Sequence, residues 1–116
     1  MSPDPGVAAH LDAEQALTVE RLAALEADFT ALVSASADSN ADDEHDPEGA
    51  TIAFERSQLD SLIRQSQRQL TEIEVARGRL AAGTYETCET CGNPIGAARL
   101  EARPVARTCV TCAALR

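Results

Sequence analysis

The 116-residue chain has no tryptophan and no lysine, and its only aromatic residues are Phe29, Phe54 and Tyr85. Aromatic side chains carry much of the buried area of large globular cores, so a core of that kind is excluded. No apolar run approaches the roughly 20 residues that span a bilayer. The opening Met1-Ser2-Pro3-Asp4-Pro5-Gly6 shows neither the basic nor the apolar region of a secretory signal. A cytoplasmic location is therefore expected. What is abundant is alanine, at 22 residues. An alanine-rich, aromatic-poor composition favours long helices over sheets.

The net charge is -9, from 19 acids against ten bases, all of them arginine. The charge is uneven. Residues 38–48 hold six acids and no base, whereas residues 77–116 hold three acids and six arginines. Nonspecific nucleic-acid binding requires cations that displace counterions from phosphate. The whole chain is built the other way, and only its last third has the sign for such contact. General acidity keeps a helical protein in solution, but it does not explain six acids concentrated in eleven residues.

Four cysteines, Cys88, Cys91, Cys109 and Cys112, form the pattern C-x2-C-x17-C-x2-C. Two CxxC pairs at this separation have zinc-site spacing. Each CxxC turn points two sulfurs into one small space, and Zn(II) takes four thiolates tetrahedrally. Gly92 directly after the first pair allows the left-handed backbone of a tight turn. Two disulfides would need an oxidising compartment, a redox CxxC a βαβ surrounding, and an iron–sulfur cluster also accepts four thiolates. Zinc is the reading the spacing favours. Four cysteine ligands leave no open coordination position, so one structural Zn(II) ion is expected rather than a catalytic one.

Leu22, Leu25, Phe29 and Leu32 are spaced 3-4-3, with Leu11 in register, and predict a helix over 9–36. Thr18 and Gln15 interrupt this stripe. Asp12 and Glu14 read as acids favouring the positive end of the helix dipole. Residues 37–49 are polar and turn-forming, with Pro47 and Gly49. A second helix is predicted over 50–82, where Ile52, Leu59, Ser66, Ile73 and Leu80 recur every seven residues and Leu62 and Ala76 take companion positions. Gly83 is its expected stop. Two matching stripes joined by a short polar connection predict an antiparallel pair. The expected fold is mostly α, a long antiparallel helical hairpin or coiled coil with a small C-terminal four-cysteine zinc module. Its parts are a flexible N-terminus at 1–8, the hairpin at 9–82 with an acidic tip at 38–50, and the zinc finger at 83–116. His10 and His45 stand alone, and no nucleophile–base set or phosphate-cradling glycine loop is present. No enzymatic activity is expected.

Gly83-Thr84-Tyr85-Glu86-Thr87-Cys88-Glu89-Thr90-Cys91-Gly92, then Ile95, Arg99-Leu100-Glu101-Ala102-Arg103-Pro104, Ala106 and Cys109-Val110-Thr111-Cys112 closely resemble the zinc module of the DksA/TraR family. The long helix and acidic turn extend the resemblance to roughly residues 42–112. It implies a bacterial regulator that binds RNA polymerase, not a DNA site. In that family the coiled coil enters the polymerase secondary channel and its acidic tip approaches the active centre. Counted back from Cys88, Glu48-Gly49-Ala50 falls on the family's Asp-x-Ala tip pattern, with Asp46 the nearest upstream acid. The resemblance therefore implies a tip of Asp46, Glu48 and Ala50, and a base of Arg99, Arg103 and Arg107 held against the enzyme's rim. Many members work with the alarmone ppGpp, although here the middle of the second helix is less basic than the family's alarmone-contacting surface. A monomer without membrane contact or sequence-specific DNA binding is expected. The alternative is a zinc-ribbon adaptor that binds another protein, or nucleic acid through the arginines of 77–116.

Overall fold

The structure, a computed structural model, describes residues 5–38 and 47–115. Asp46 and His45, with the rest of 39–46, lie outside the described residues. The chain order is α1 (Pro5–Asp38), α2 (Pro47–Ala82), α3 (Ala97–Ala102) and α4 (Val110–Ala114). Among the described residues there is no strand, only an isolated antiparallel bridge between Thr87 and Pro94. No helix among them is long and apolar enough to cross a membrane. The architecture is the mostly helical one expected, with α1 and α2 as the long hairpin.

Both long helices open on a proline, which suits a first helical position because its φ is preset and its missing N–H has no helical partner there. For α1 this start lies at Pro5, ahead of the expected residue 9, so residues 5–8 are helical. The first turn of α1 then contains no acid. Asp12 and Glu14 lie two turns in, beyond the reach of the dipole. They make side-chain pairs instead. Asp12 accepts from Arg77, and Glu14 lies 3.7 Å from His10.

The end of α2 is set by Gly83, at φ 80. Its N–H donates to the Leu80 carbonyl at 3.2 Å, and the Thr84 N–H donates to the Arg79 carbonyl at 2.9 Å. This pair of bonds is the Schellman arrangement, which satisfies carbonyls that the helix itself leaves unpaired.

The chain divides into two compact units, residues 1–16 with 70–116, and residues 17–69. The first unit has the protein's apolar core. Leu11, Ala76, Tyr85, Cys88, Ile95 and Leu100 are buried together, with Val7, Leu80, Val105 and Ala106 packed around them. Leu11 from α1 is 0% exposed. The Tyr85 hydroxyl donates to the Pro104 carbonyl at 2.7 Å, so the one large polar group in this core is satisfied.

The second unit consists of the remaining parts of α1 and α2. Among its described residues, Thr18 and Ser66 are buried, while Leu22, Leu25, Phe29, Leu32, Ile52, Leu59 and Ile63 are half-buried. Thr18, which interrupts the apolar pattern, is thus more buried than the leucines around it. The Arg56 guanidinium sits 5.9 Å from the centre of the Phe29 ring, within cation–π range. Leu62 departs from expectation. Its companion position predicts a place in the seam, but the residue is 45% exposed.

Candidate metal centre

The first CxxC pair lies in the turn that follows α2. Within it the Gly92 N–H donates to the Cys88 carbonyl at 3.0 Å, and the Cys88 N–H to the Asn93 carbonyl at 2.8 Å. Gly92 takes φ 77, as the tight turn requires. The Ile95 N–H closes the loop on the Glu86 carbonyl at 2.8 Å. The second pair is built differently. Cys109 stands in extended backbone immediately before α4, and Cys112 lies inside that helix. The Ala113 N–H donates to the Cys109 carbonyl at 2.9 Å. A bond from the Glu89 N–H to the Arg107 carbonyl, at 2.9 Å, joins the two halves.

The four Sγ atoms lie within 4.8 Å of one another. The Cys91 and Cys109 sulfurs are 3.8 Å apart, and all four cysteines are free thiols. That separation is far too long for a disulfide, at about 2.05 Å. It matches a tetrahedral zinc tetrathiolate, where ligands about 2.3 Å from the ion stand about 3.8 Å from each other. The thiols also differ in acidity. The Cys88 thiol is lowered to about 6, chiefly by backbone N–H groups of Cys91 and Cys109 that favour its thiolate. The Cys112 thiol is pushed up to about 12, by hydrogen bonding to the Cys109 and Cys91 sulfurs and then by burial. Four thiolates in this space repel one another, and a divalent cation removes that penalty. The geometry and the donor set fit one structural Zn(II) ion. When bound, the ion would act as a crosslink between the Cys88–Cys91 turn and the Cys109–Cys112 segment.

Arg79 is a part of this site that the sequence pattern does not reveal. Its guanidinium donates to the Thr84 carbonyl at 2.9 Å and also to the Thr87 carbonyl, and it lies 3.4 Å from the Glu89 carboxylate. It thereby ties the last turn of α2 to the backbone that leads into Cys88. Its only signal in the sequence is a basic residue in the last turn of a helix.

The three arginines expected at the base share one groove with Glu72 and Glu89. Arg107 grips Glu72 with two nitrogens, its Nε at 3.0 Å from Oε2 and Nη2 on Oε1. Arg99 donates from Nε to the Thr108 carbonyl at 2.8 Å. Arg103 is exposed. Two of the three arginines are thus committed to holding the module together, and Arg103 is the one presented outward. Of the tip residues, Glu48 and Ala50 belong to the first turn of α2 and Ala50 is exposed, while Asp46 lies outside the described residues.

Residues 83–116 match the family model described as the prokaryotic dksA/traR C4-type zinc finger. The chain is 49% identical over 49 residues to the RNA polymerase-binding transcription factor DksA of Caulobacter vibrioides, covering 41% of this chain and 34% of that protein. It is 35% identical over 71 residues to the protein of the same name from Haemophilus influenzae, covering 60% of this chain and 49% of that one. The matched stretches thus span between a third and a half of these relatives' length. Because the second alignment is more than twice as long as the zinc module, more than half of it lies outside residues 83–116. Among solved structures, transcription factor DksA2 from Pseudomonas aeruginosa superposes with a TM-score of 0.55 at 26% identity, over 92% of this chain and 82% of that one. The four-cysteine module of residues 83–116 is a zinc finger of the prokaryotic DksA/TraR C4 type.

Proposed function

We propose that this protein is a transcription regulator that binds RNA polymerase directly and inserts the acidic segment between α1 and α2 into the secondary channel. The observation that carries this reading is that the likeness to RNA polymerase-binding factors runs beyond the zinc finger into the helical hairpin. A zinc finger alone is a scaffold that serves many functions. A zinc finger joined to two long helices, with six acids and no base in residues 38–48, is a far narrower combination. In this reading Asp46 and Glu48 act on groups near the polymerase active centre, and Ala50 keeps the approach free of bulk. The zinc module holds the base, with Arg103 as its outward cation and Arg99 and Arg107 as its internal braces. The adaptor reading through nucleic acid is weakened by the same braces, because a guanidinium already paired with Glu72 has little left for a phosphate.

The experiment is equilibrium binding of the zinc-loaded protein to purified core RNA polymerase, with a known secondary-channel factor as competitor. Mutually exclusive binding is expected. Asp46→Asn and Glu48→Gln are expected to retain that binding and to reduce the effect on transcription. Binding that persists in saturating competitor would discard the channel route.

A further inference from the structure

Arg99, Arg103 and Arg107 line a groove of about 460 Å³ with Glu72 and Glu89. A concave site with three arginines suits a polyphosphate, because one edge of a guanidinium can hold two phosphate oxygens. The resemblance to a family with alarmone-dependent members makes ppGpp the polyphosphate whose fit matters. The residues present do not fit it.

The side-on edge of a guanidinium consists of Nε and one Nη. At Arg107 both are taken by the Glu72 carboxylate, Nε at 3.0 Å from Oε2 and Nη2 on Oε1. At Arg99 the Nε donates to the Thr108 carbonyl at 2.8 Å. Arg103 is exposed and has no ion-pair partner among the described residues. Three arginines against two glutamates leave the groove at +1, whereas each terminal phosphate carries a charge of about -1.5 to -2. Glu72 is also tethered. It sits on α2 beside Arg107, so a free anion competes with a partner at an effective concentration on the order of millimolar or more. An anion that displaced it would leave a half-buried carboxylate without its counter-charge. Glu89 adds a second carboxylate, anchored by Arg79 at 3.4 Å.

We infer that Glu72 is a built-in anion: it fills the arginine groove from within the chain and closes that groove to small polyphosphates. On the reading above, which the inference extends, the protein regulates transcription without an alarmone on its zinc module.

The test titrates the full-length zinc-loaded protein with ppGpp and with inorganic tripolyphosphate, by calorimetry and by the Nε–H NMR signals of its arginines. For the wild type a Kd above about 1 mM is expected, with the Arg99 and Arg107 signals unmoved. Glu72→Gln frees the Arg107 edge and is expected to bind both anions at least about tenfold more tightly. Glu72→Gln/Arg107→Gln is expected to lose that gain. Wild-type Arg99 and Arg107 signals that shift to saturation with either anion would overturn the inference, and this readout needs no variant. A Glu72→Gln protein with normal helix and zinc content that gains nothing would overturn it too. So would a photoreactive ppGpp that crosslinks to residues 99–107 of this chain in the complex with core RNA polymerase. Failure of the regulator reading shows separately, as absent polymerase binding with the wild-type titration unchanged, and leaves the closed groove standing.

Discussion

The two units of this chain share the same two long helices and are held by different means. Among the described residues, all seven buried apolar side chains lie in residues 1–16 with 70–116, together with a four-thiol cluster and a bidentate ion pair between Arg107 and Glu72. Among the described residues of 17–69 the buried positions are two small hydroxyl residues, Thr18 and Ser66, with half-buried leucines and isoleucines beside them. The contrast follows from how many elements each unit brings together. A helix packed against one other helix can hide only a stripe. Leu11, packed with α2 and with the loops around the cysteines, has no surface left exposed. Buried apolar surface is therefore concentrated around the four thiols, whereas Leu17, Val19, Phe54 and Leu62 in the other unit stay exposed.

Removing the metal breaks the comparison most deeply. Structural zinc supplies on the order of 10–16 kcal/mol in small metal-folded domains. Chelation, or Cys109→Ser, is expected to abolish amide protection through residues 83–115 while residues 17–37 keep theirs, as hydrogen exchange would show. Equal loss in both units would mean that they fold as one. Next is Leu11→Ala, which opens a cavity in the filled core and is expected to cost about 2–5 kcal/mol in denaturant unfolding of the zinc-loaded protein.

Tyr85 sharpens the contrast as a reporter. It is the sole tyrosine, so its phenol titrates without overlap. Burial, followed by the neighbouring Glu86 charge, raises it above the ordinary value of 10.0. A phenol whose pKa is raised on folding contributes stability that is fully present below pH 10 and lost as pH rises through the folded value. Ultraviolet titration is expected to place the zinc-loaded protein above 10 and the chelated protein back near it. Tyr85→Phe removes the bond to Pro104 and is expected to cost about 1 kcal/mol. Gly78→Ala has the opposite sign. A Cβ there meets nothing within 4 Å, and helix propensity favours alanine by about 1 kcal/mol, so the melting temperature is expected to rise. The smallest effect is in the other unit. Leu62→Gln is expected to cost no more than about 1 kcal/mol, because Leu62 is 45% exposed.

The metal centre was legible because ligand spacing is a local property: two CxxC pairs and Gly92 state the chemistry within the chain itself, although the second pair opens α4 rather than forming a turn. The end of α2 at Gly83 was legible for the same reason. Periodicity was a weaker guide. It placed Ser66 correctly in the seam, since position outweighs polarity there, but it treated Thr18 as an interruption and Leu62 as a seam residue. A seven-residue count cannot tell which side of a stripe the neighbouring helix covers. The start of α1 was misplaced because the apolar pattern begins after Pro5, and the acids at 12 and 14 were then assigned to the dipole rather than to Arg77 and His10. Arg79 and Arg107 were illegible as braces. Their partners are backbone carbonyls and a carboxylate 35 residues away, and only the folded chain brings them together.

On this reading the acidic segment between α1 and α2 lies inside the secondary channel of the polymerase. A photo-crosslinking side chain at Ala53, exposed in the second turn of α2, reports this directly in a complex of the zinc-loaded protein with core RNA polymerase. Crosslinks to residues lining the secondary channel are expected, and are lost when a channel-binding competitor is added. Crosslinks confined to the outer surface of the polymerase, in a complex that forms with normal affinity, would contradict it.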